Sequence, residues 1–211
     1  MTMAKQAPPG RAGRAWLLER IATATHGIDL LGQKQQLLSR ERRRLVRHLE
    51  EASSAWATAQ AEAELWSTRA GALGGASSTR LAGAQTSGLA EVSISWRNTM
   101  GVVHPDEARV TPAPLDATDL ASFNAAVGPS ALAHRRALGA AARLAVARSA
   151  LGAVETELAS TRRRLRAIER DRLPWLKAEL HTLVLALDEV EREERLFTRW
   201  AARRSEQGAT P

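Results

Sequence analysis

The sequence predicts a mainly α-helical protein in which two long helices form an antiparallel, left-handed coiled coil around a small central insertion. Three observations lead to this prediction. Apolar residues recur at alternating steps of four and three in two long segments, which is the periodicity of a coiled-coil seam. A stretch rich in Gly, Ser, Thr and Pro separates the two segments. Aromatic residues make up only 4% of the chain, and its apolar weight lies in Ala and Leu, as is typical of long helices.

Charge and composition bound the class of protein. The 211 residues carry a formal net charge of +7, and a sequence pI of about 11.1 indicates an anionic partner: nucleic acid, an anionic membrane surface or an acidic protein face. The absence of Cys excludes a disulfide framework and a thiolate zinc site. The N-terminus lacks an apolar signal region, and no stretch approaches the roughly 18 apolar residues that span a bilayer. We therefore expect a soluble, cytoplasmic protein.

The first long helix is predicted over residues 14–70, after a flexible tail over residues 1–13 that is rich in Pro and Gly. Its seam positions are apolar except for Gln35 and Arg42, and the pattern holds for about seven heptads. These positions are Leu17, Ile21, Ala24, Ile28, Leu31, Gln35, Leu38, Arg42, Leu45, Leu49, Ala52, Trp56, Ala59, Ala63, Trp66 and Ala70. A repeat sustained over this length predicts a coiled coil.

Residues 71–130 are predicted to form a compact insertion of loop, hairpin and short helix. Gly, Ser and Thr dominate residues 73–88, so the first helix is expected to fray or end near Gly71 to Gly75. At the other end of the insertion, a short helix is expected from Asp116 or Thr118 to Ala126, where Gly128 and Pro129 follow.

The hairpin is predicted from alternation within this insertion. Val92, Ile94 and Trp96 alternate with polar residues, which is the pattern of a short, half-exposed strand. Residues 98–101 offer a turn, and Val102 and Val103, with Ala108 to Val110, are the candidates for the returning arm. Pro105, Pro112 and Pro114 interrupt any longer strand, so we expect one small hairpin and no larger sheet.

The second long helix is predicted over residues 131–204, before a flexible tail over residues 205–211. Its seam runs in regular heptads to Ile168 and then resumes one residue late, at Leu173 instead of Arg172. Pro174 lies beside this slip, and a proline ring clashes with the carbonyl group four residues earlier. The register shift and a kink therefore have one local cause. The seam positions are Ala133, Ala137, Ala140, Leu144, Ala147, Leu151, Val154, Leu158, Thr161, Leu165 and Ile168, then Leu173, Leu176, Leu180, Leu183, Leu187, Val190, Glu194 and Phe197.

Two helices of similar length separated by a compact insertion most simply fold back as an antiparallel pair. This arrangement brings the acidic residues of 188–194 near Arg14, Arg20 and Lys34, where exposed ion pairs contribute about 0 to 1 kcal/mol each. It also brings the arginines of 40–47 to the level of those of 162–172, which predicts a basic belt.

Motifs for catalysis are absent from the sequence. It has no P-loop, no dinucleotide-binding glycine motif, no HExxH zinc motif and no GxSxG nucleophile motif. The histidines are scattered singly, so we interpret each as a surface or packing residue: His26, His48, His104, His134 and His181. The acidic residues of 188–194 spread around more than half of a helix, which favours a solvated or partner-facing role over a cation site. Trp56 and Trp66 fall on the seam and are predicted to pack in the core.

Three separated stretches resemble one known family. Residues 24–34, ATHGIDLLGQK, resemble the AxxGxxLLxxK motif in the first helix of the D subunits of V-type and archaeal A-type rotary ATPases. Residues 98–105, NTMGVVHP, are similar to that family's NxMGVxxP turn. Residues 162–169, RRRLRAIE, followed by Pro174 and by LDEVERE at 187–193, resemble its last helix. The order and spacing of the three stretches match along nearly the whole chain.

The resemblance implies the central rotor shaft of a rotary ATPase or ATP synthase, a subunit that transmits torque and has no catalytic residue, cofactor or metal. It implies partners in the catalytic and non-catalytic A and B subunits of the hexamer, in the F subunit, and in the funnel-shaped C/d subunit that lies above the membrane ring. It implies no nucleic acid and no direct membrane insertion. The expected location is cytoplasmic, peripheral on the inner face of the membrane as part of the complex.

The expected partner interface combines a mid-shaft basic cluster with the hairpin turn, where the family motifs lie. Its residues are Arg162, Arg163, Arg164, Asn98, Met100, Gly101, Val102 and Pro105. Some positions depart from the family pattern. Gln35 and Gln36 replace basic residues, Gly10 replaces a threonine, and the C-terminal tail has Trp200, Arg203 and Arg204 where lysines are usual. These departures concern the contacts of the upper shaft.

An alternative function follows from the pI alone: a basic coiled-coil protein that binds nucleic acid or serves as a scaffold. It predicts binding to duplex DNA or RNA that weakens steeply as the salt concentration rises. It gives no reason for the NTMGVVHP turn or for the slip beside Pro174. An enzyme ranks third, because no constellation of residues supports it.

Overall fold

The computed structural model describes residues 7–85, 88–114 and 124–207. In chain order it contains helix α1 (Gly10–Gln85), strands β1 (Glu91–Thr99) and β2 (Val102–Thr111), helix α2 (Val127–Ala167), a π-helical turn (Ile168–Arg172) and helix α3 (Leu173–Gln207). The predicted fold class, mainly α with long helices and one small antiparallel hairpin, is confirmed. The short helix expected between Asp116 or Thr118 and Ala126 falls mainly on residues 115–123, which lie outside the described residues.

These elements form two compact units. One contains residues 35–160, with the hairpin and the parts of α1 and α2 that pack beside it. The other contains residues 1–34 and 161–211, with the start of α1, the end of α2, the π-helical turn and α3. Each unit therefore pairs a part of α1 with helical segments from the C-terminal half of the chain.

The unit of residues 35–160 is an antiparallel helix pair with the hairpin against it. Its buried clusters join α1 residues to α2 residues whose numbers fall as those of α1 rise: Leu45 with Val154, Ala52 with Ala147, Ala63 with Ala137, and Ala70 with Val127. Two ion pairs cross the same interface, Arg42 to Glu155 at 2.8 Å and Arg136 to Glu62 at 3.0 Å. The two helices therefore run in opposite directions.

The heptad pattern accounts for most of the buried residues in the long helices. Trp56 and Trp66 also pack against the buried clusters, as their seam positions predict. Because alanine dominates the middle of the seam, the two helices can approach closely there. The buried seam residues are Leu17, Leu38, Leu45, Ala52, Ala63 and Ala70 in α1, Ala133, Ala137, Ala140, Leu144, Ala147, Val154, Leu158 and Thr161 in α2, and Leu176 in α3.

A second buried stripe on α2 lies outside the predicted seam. Val146 and Ala150 are buried, and Gly139 and Arg143 precede them at helical spacing on the same side of the helix. Ala150 shares a buried cluster with Val102 at the start of β2. Gly139 and Arg143 line a cleft with hairpin residues. This side of α2 therefore carries the hairpin.

The unit that contains both chain ends is also an antiparallel pair. Leu17 of α1 and Leu176 of α3 are buried, and Arg11 pairs with Glu191 at 3.2 Å. Gly13 is closely enclosed: a Cβ there would overlap the carbonyl oxygen of Pro8 and lie 3.1 Å from Cδ2 of Leu183. The first residues of the chain that the structure describes therefore fold back over the first turn of α1.

Helix α1 continues beyond the region where the sequence pattern stops. The sequence predicts fraying or an end near Gly71 to Gly75, and the structure shows a local break at Gly75, with φ of 71° and ψ of 167°, before helix resumes to Gln85. Positive φ is accessible to glycine at little cost because it lacks a Cβ. The break is therefore confined to one residue.

One helical run passes a length-and-composition test for membrane spans, although no such stretch was expected from the sequence. An 18-residue window within Val127–Arg204 has a mean hydropathy of 1.3, and 39% of that window is buried inside the protein. The alanine-rich seam of α2 lies in this run and packs against α1. Core helices of soluble proteins pass the same test, so the result is weak evidence for a membrane span.

Candidate partner-binding surfaces

The hairpin turn is built by the sequence Asn98-Thr99-Met100-Gly101. Met100 and Gly101 have φ of 53° and 83°, so both central residues of this two-residue turn have positive φ, as in the type I′ turns that suit twisted hairpins. The side-chain oxygen of Asn98 accepts a hydrogen bond of 2.9 Å from the backbone N–H of Gly101. The exposed tip of the hairpin is therefore fixed by local chemistry.

A β-bulge divides the hairpin. Ser95 pairs with Glu107, but the next residue, Trp96, pairs with Pro105, so Asp106 has no partner in the ladder. A bulge bends the strand and redirects the side chain of the extra residue. In this hairpin the redirected side chain is a carboxylate.

The two faces of the hairpin differ in burial. Val92, Ile94 and Trp96 of β1 share one face with Val103 of β2, and all four are exposed, Trp96 to 64%. We call these four residues the outer apolar face. The opposite, inner face carries Val102 and His104, which are buried. The hairpin thus presents an apolar surface away from the helices that it packs against.

The inner face anchors β2 to the helix pair. Val102 belongs to a buried cluster with Leu38 and Leu45 of α1 and with Val154 of α2. His104 has no solvent exposure, and its ring nitrogens lie 3.0 Å from the carbonyl oxygen of Pro105 and 3.3 Å from the hydroxyl of Thr99. Both nitrogens therefore have hydrogen-bond partners, as a buried imidazole requires.

A chain of alternating charges joins the hairpin to α1. Arg97 of β1 donates through Nε and Nη2 to the two carboxylate oxygens of Asp106, at 2.8 and 2.7 Å. Arg44 of α1 lies 3.9 Å from the same carboxylate and donates to Glu41 at 2.7 Å. The hydrogen bonds from Arg97 lower the pKa of Asp106, and those from Arg44 lower the pKa of Glu41. We call these four residues the hairpin clamp.

The base of the hairpin lies over an open cleft. The cleft has a volume of about 440 Å³ and lies between the base of the hairpin and Gly139 and Arg143 of α2. Beyond β2 the chain is tied down again, where the guanidinium of Arg135 donates to the carbonyl oxygen of Ala113. Strand β2 is therefore held near both ends. The hairpin residues that line the cleft are Ser93, Ser95, Glu107, Ala108, Arg109 and Val110.

Arg162, Arg163 and Arg164 lie near the C-terminal end of α2, and all three are exposed. Within the part of the chain that the structure describes, none of the three forms an ion pair with a carboxylate. The guanidinium groups are therefore available to an anionic partner. They belong to the unit that contains both chain ends, whereas the arginines of 40–47 belong to the other unit.

The acidic residues of 188–194 make local contacts. Glu191 accepts from Arg11 of α1 and from Arg195 one turn later, while Glu189 accepts from Arg192. Arg14, which the sequence places near this cluster, lines the same groove as Asp188 and Glu191. Among residues 7–85, 88–114 and 124–207 no group of three or more His, Cys, Asp or Glu side chains is arranged to hold a metal ion.

The structure separates the predicted interface residues into two kinds. Asn98, Met100 and Gly101 are exposed at the tip, whereas Val102 and Pro105 are buried beneath it. The turn motif therefore contains residues that are exposed at the tip and residues that are buried below it. Sequence reasoning did not identify the clamp or His104 as anchors, because their roles depend on where the hairpin lies. The alternation of Val92, Ile94 and Trp96 was a signal for the outer apolar face.

Comparisons with known proteins agree along most of the chain. The family model that describes the D subunit of ATP synthase matches residues 16–201. The chain is 30% identical over 198 residues to the D subunit of the V-type ATP synthase of Thermotoga neapolitana, and the alignment covers 88% of this chain and 92% of that relative. Both matches extend across the two long helical segments and the hairpin between them.

Proposed function

The chain belongs to the family of ATP synthase D subunits, and from that premise we propose how its surfaces serve a rotary motor. As a member of this family it is a central-stalk subunit of a rotary ATPase, structural and not catalytic. It transmits torque between the catalytic hexamer and the membrane ring that moves ions. The observation that best supports this function is the long antiparallel helix pair with its heptad seam.

Torque transfer places physical demands on such a protein. A shaft must resist twisting, and interdigitated side chains along a seam transmit strain because protein interiors are close-packed. It must also turn inside the hexamer that surrounds it without being held by deep, specific contacts. The exposed surfaces of the long helices are rich in Arg, Glu and Ala, which suits contacts that attract without locking.

We propose specific partners from family membership and charge. The two chain ends would face the hexamer of A and B subunits, and the unit with the hairpin would contact the F subunit and the funnel-shaped C/d subunit. The chain would lie on the cytoplasmic side of the membrane, peripheral to it, as part of the complex. A formal net charge of +7 supports acidic partner surfaces.

Two surfaces are proposed to make these contacts. Arg162, Arg163 and Arg164 would face acidic turns of the hexamer, which is supported by their exposure and by their lack of carboxylate partners within the described ranges. The tip residues Asn98, Met100 and Gly101, with the outer apolar face, would meet a neighbouring protein of the stalk. Apolar side chains such as Trp96 are enriched in the buried centres of protein interfaces.

The arginine surface can be tested by charge removal. The triple variant Arg162→Gln, Arg163→Gln, Arg164→Gln in the assembled complex should lower the number of ions pumped per ATP hydrolysed, or lower assembly. A control variant with Arg80→Gln, Arg109→Gln and Arg148→Gln removes the same charge from other exposed positions and should leave both unchanged. ATP-driven rotation and pumping equal to wild type in the first variant would contradict this role.

A further inference from the structure

We propose that Asp106 is a positioning residue that sets the orientation of β1, and with it the direction in which the outer apolar face points. Its carboxylate lies at the bulge between two arginines, Arg97 on β1 and Arg44 on α1. The inference rests on the proposed function only in the use it assigns to the outer apolar face. The clamp itself is a property of the chain alone.

The bulge makes this position possible. Because Asp106 is left out of the ladder between Ser95 and Trp96, its side chain is free to turn toward a neighbour outside its own pair. Both carboxylate oxygens accept from Arg97 in a two-bond arrangement. Such a pair fixes relative orientation as well as distance, because guanidinium and carboxylate are both planar.

The helix side of the clamp is also held. Arg44 approaches the Asp106 carboxylate to 3.9 Å while donating through Nε and Nη2 to Glu41, one turn earlier on α1. Glu41 therefore restrains the guanidinium that faces the hairpin. The order Arg97, Asp106, Arg44, Glu41 alternates in charge, so each member attracts its neighbours.

Strand β1 is paired with β2 along its length, but its side chains make little buried contact with the helices. Residues 91–98 are all exposed, whereas β2 is held by Val102, by His104 and by the bond from Arg135 to Ala113. An isolated two-stranded hairpin is marginally stable in water, and an open cleft lies beneath the base of this one. Without the clamp, the β1 edge of the hairpin can therefore tilt relative to α1 while its ladder to β2 stays formed.

Loss of the clamp is expected to change the orientation of β1 and to change the free energy of unfolding of the chain only slightly. Ion pairs with exposed members contribute little to the free energy of unfolding, and Arg97 and Arg44 are about half exposed. The seam and its buried clusters do not involve Asp106. A purely structural role would lower the unfolding temperature, whereas a positioning role broadens the range of hairpin orientations.

The absence of Cys permits a direct test. In the full chain, Val92→Cys on β1 and Leu138→Cys on α2, both exposed in the wild type, are labelled with nitroxides, and their distance distribution is measured by pulsed electron paramagnetic resonance. Asp106→Asn should widen the distribution about twofold. Glu107→Gln, which neutralises the adjacent carboxylate on β2, should leave it unchanged. A distribution as narrow in Asp106→Asn as in the wild type would overturn the proposal.

Two further variants keep the test decisive. Arg44→Gln removes the helix side of the clamp without touching the strand ladder, so it should widen the distribution even where Asp106→Asn folds poorly. Arg97→Lys keeps the charge but cannot make the two-bond arrangement, so it should widen the distribution as well. If either variant leaves the width at the wild-type value, the positioning role is wrong.

The assembled complex separates this inference from the proposed function. Asp106→Asn should still join the rotary ATPase complex and should lower ATP-driven pumping by severalfold, because the outer apolar face no longer points in one direction. Failure of the wild-type chain to join such a complex would overturn the proposed function alone. Equal distance distributions in the labelled chains would overturn the clamp alone.

Discussion

The backbone N–H of Leu173 donates a hydrogen bond to the carbonyl oxygen of Ile168, five residues earlier. In an α-helix the acceptor would be Glu169, so this bond marks one π-helical turn. The apolar series along the sequence resumes one residue late at the same place, and Leu176 then returns to a buried position. The π-helical turn takes up the extra residue, and Pro174, which lacks an N–H, lies just beyond it.

Removing the extra residue should convert this turn to regular α-helix. Deletion of Arg170 combined with Pro174→Ala restores steps of four and three through the segment and removes the ring clash. We expect the thermal unfolding midpoint, measured by circular dichroism, to stay the same or to rise by a few degrees, because the seam downstream keeps its register.

A deletion elsewhere in the seam provides the contrast. Arg148 is exposed on α2, far from any slip, and its deletion turns every later seam residue by about 100° around the helix. This variant should lose several kcal/mol of stability, because buried residues such as Val154 and Leu158 leave the interface. Equal destabilisation by the two deletions would contradict the assignment of the extra residue to the π-helical turn.

Gly13 should not tolerate a side chain. Gly13→Ala places a methyl group against the carbonyl oxygen of Pro8 and beside Leu183, so we expect a loss of about 1 to 3 kcal/mol in the free energy of unfolding. Gly27→Ala is the matched control, because a Cβ there meets nothing within 4 Å. It should stabilise the helix by up to about 1 kcal/mol. Urea unfolding of both variants measures the difference, and a Gly13→Ala variant as stable as wild type would exclude the fold-back of the first residues.

The cluster beneath the hairpin should be sensitive to truncation. Leu45 is buried with Val102, Val154 and Leu158, so Leu45→Ala should cost about 2 to 5 kcal/mol. Leu65→Ala, at a position of α1 that is 50% exposed, should change the free energy by no more than about 0.5 kcal/mol. Equilibrium unfolding in urea compares the two, and a similar small effect of both would show that the cluster does not hold the fold.

Acid should release the hairpin clamp. The pKa values of Asp106 and Glu41 are lowered in the folded protein, so their contribution is fully present above their ordinary values, about 3.9 and 4.3. It is lost as the pH falls below those values and through the lowered ones. The charged and titratable groups around Asp106 are Arg97, His104 and Glu107 on the hairpin and Arg44 and Glu41 on α1.

The distance distribution between labels at positions 92 and 138 should therefore be constant from pH 7 to about pH 5 and should widen below about pH 4. In Asp106→Asn the distribution should be wide throughout this range and nearly independent of pH, because the clamp is already open. A wild-type distribution that widens near neutral pH and stays constant in acid would assign the change to a group other than Asp106.

Prediction from the sequence succeeded where a repeating pattern of apolar residues reports a single kind of packing contact. The heptads identify the buried seam residues, such as Leu38 and Val154, because the same pattern must repeat wherever two helices meet. The hairpin was predicted for a similar reason, since alternation and the Asn98 to Gly101 turn are both local signals. The slip beside Pro174 was also visible, although its π-helical form required the structure.

The features that the sequence did not predict depend on where the hairpin lies in the folded protein. Val146 and Ala150 are ordinary helix residues in the sequence, and nothing local shows that a hairpin covers them. Asp106 becomes significant only when the bulge removes it from the ladder and Arg44 of a distant helix faces it. For the same reason, the turn motif did not reveal that Val102 and Pro105 would be buried while Met100 stayed exposed.

The central claim, that the chain belongs to the central stalk of a rotary ATPase, is tested most directly by affinity purification of the tagged chain from its native organism, followed by measurement of the stoichiometry of the recovered proteins. The prediction is recovery of the catalytic and non-catalytic proteins of the hexamer with a small F-like partner, at one copy of the chain per hexamer. Recovery of nucleic acid alone, released as salt is raised, would contradict it.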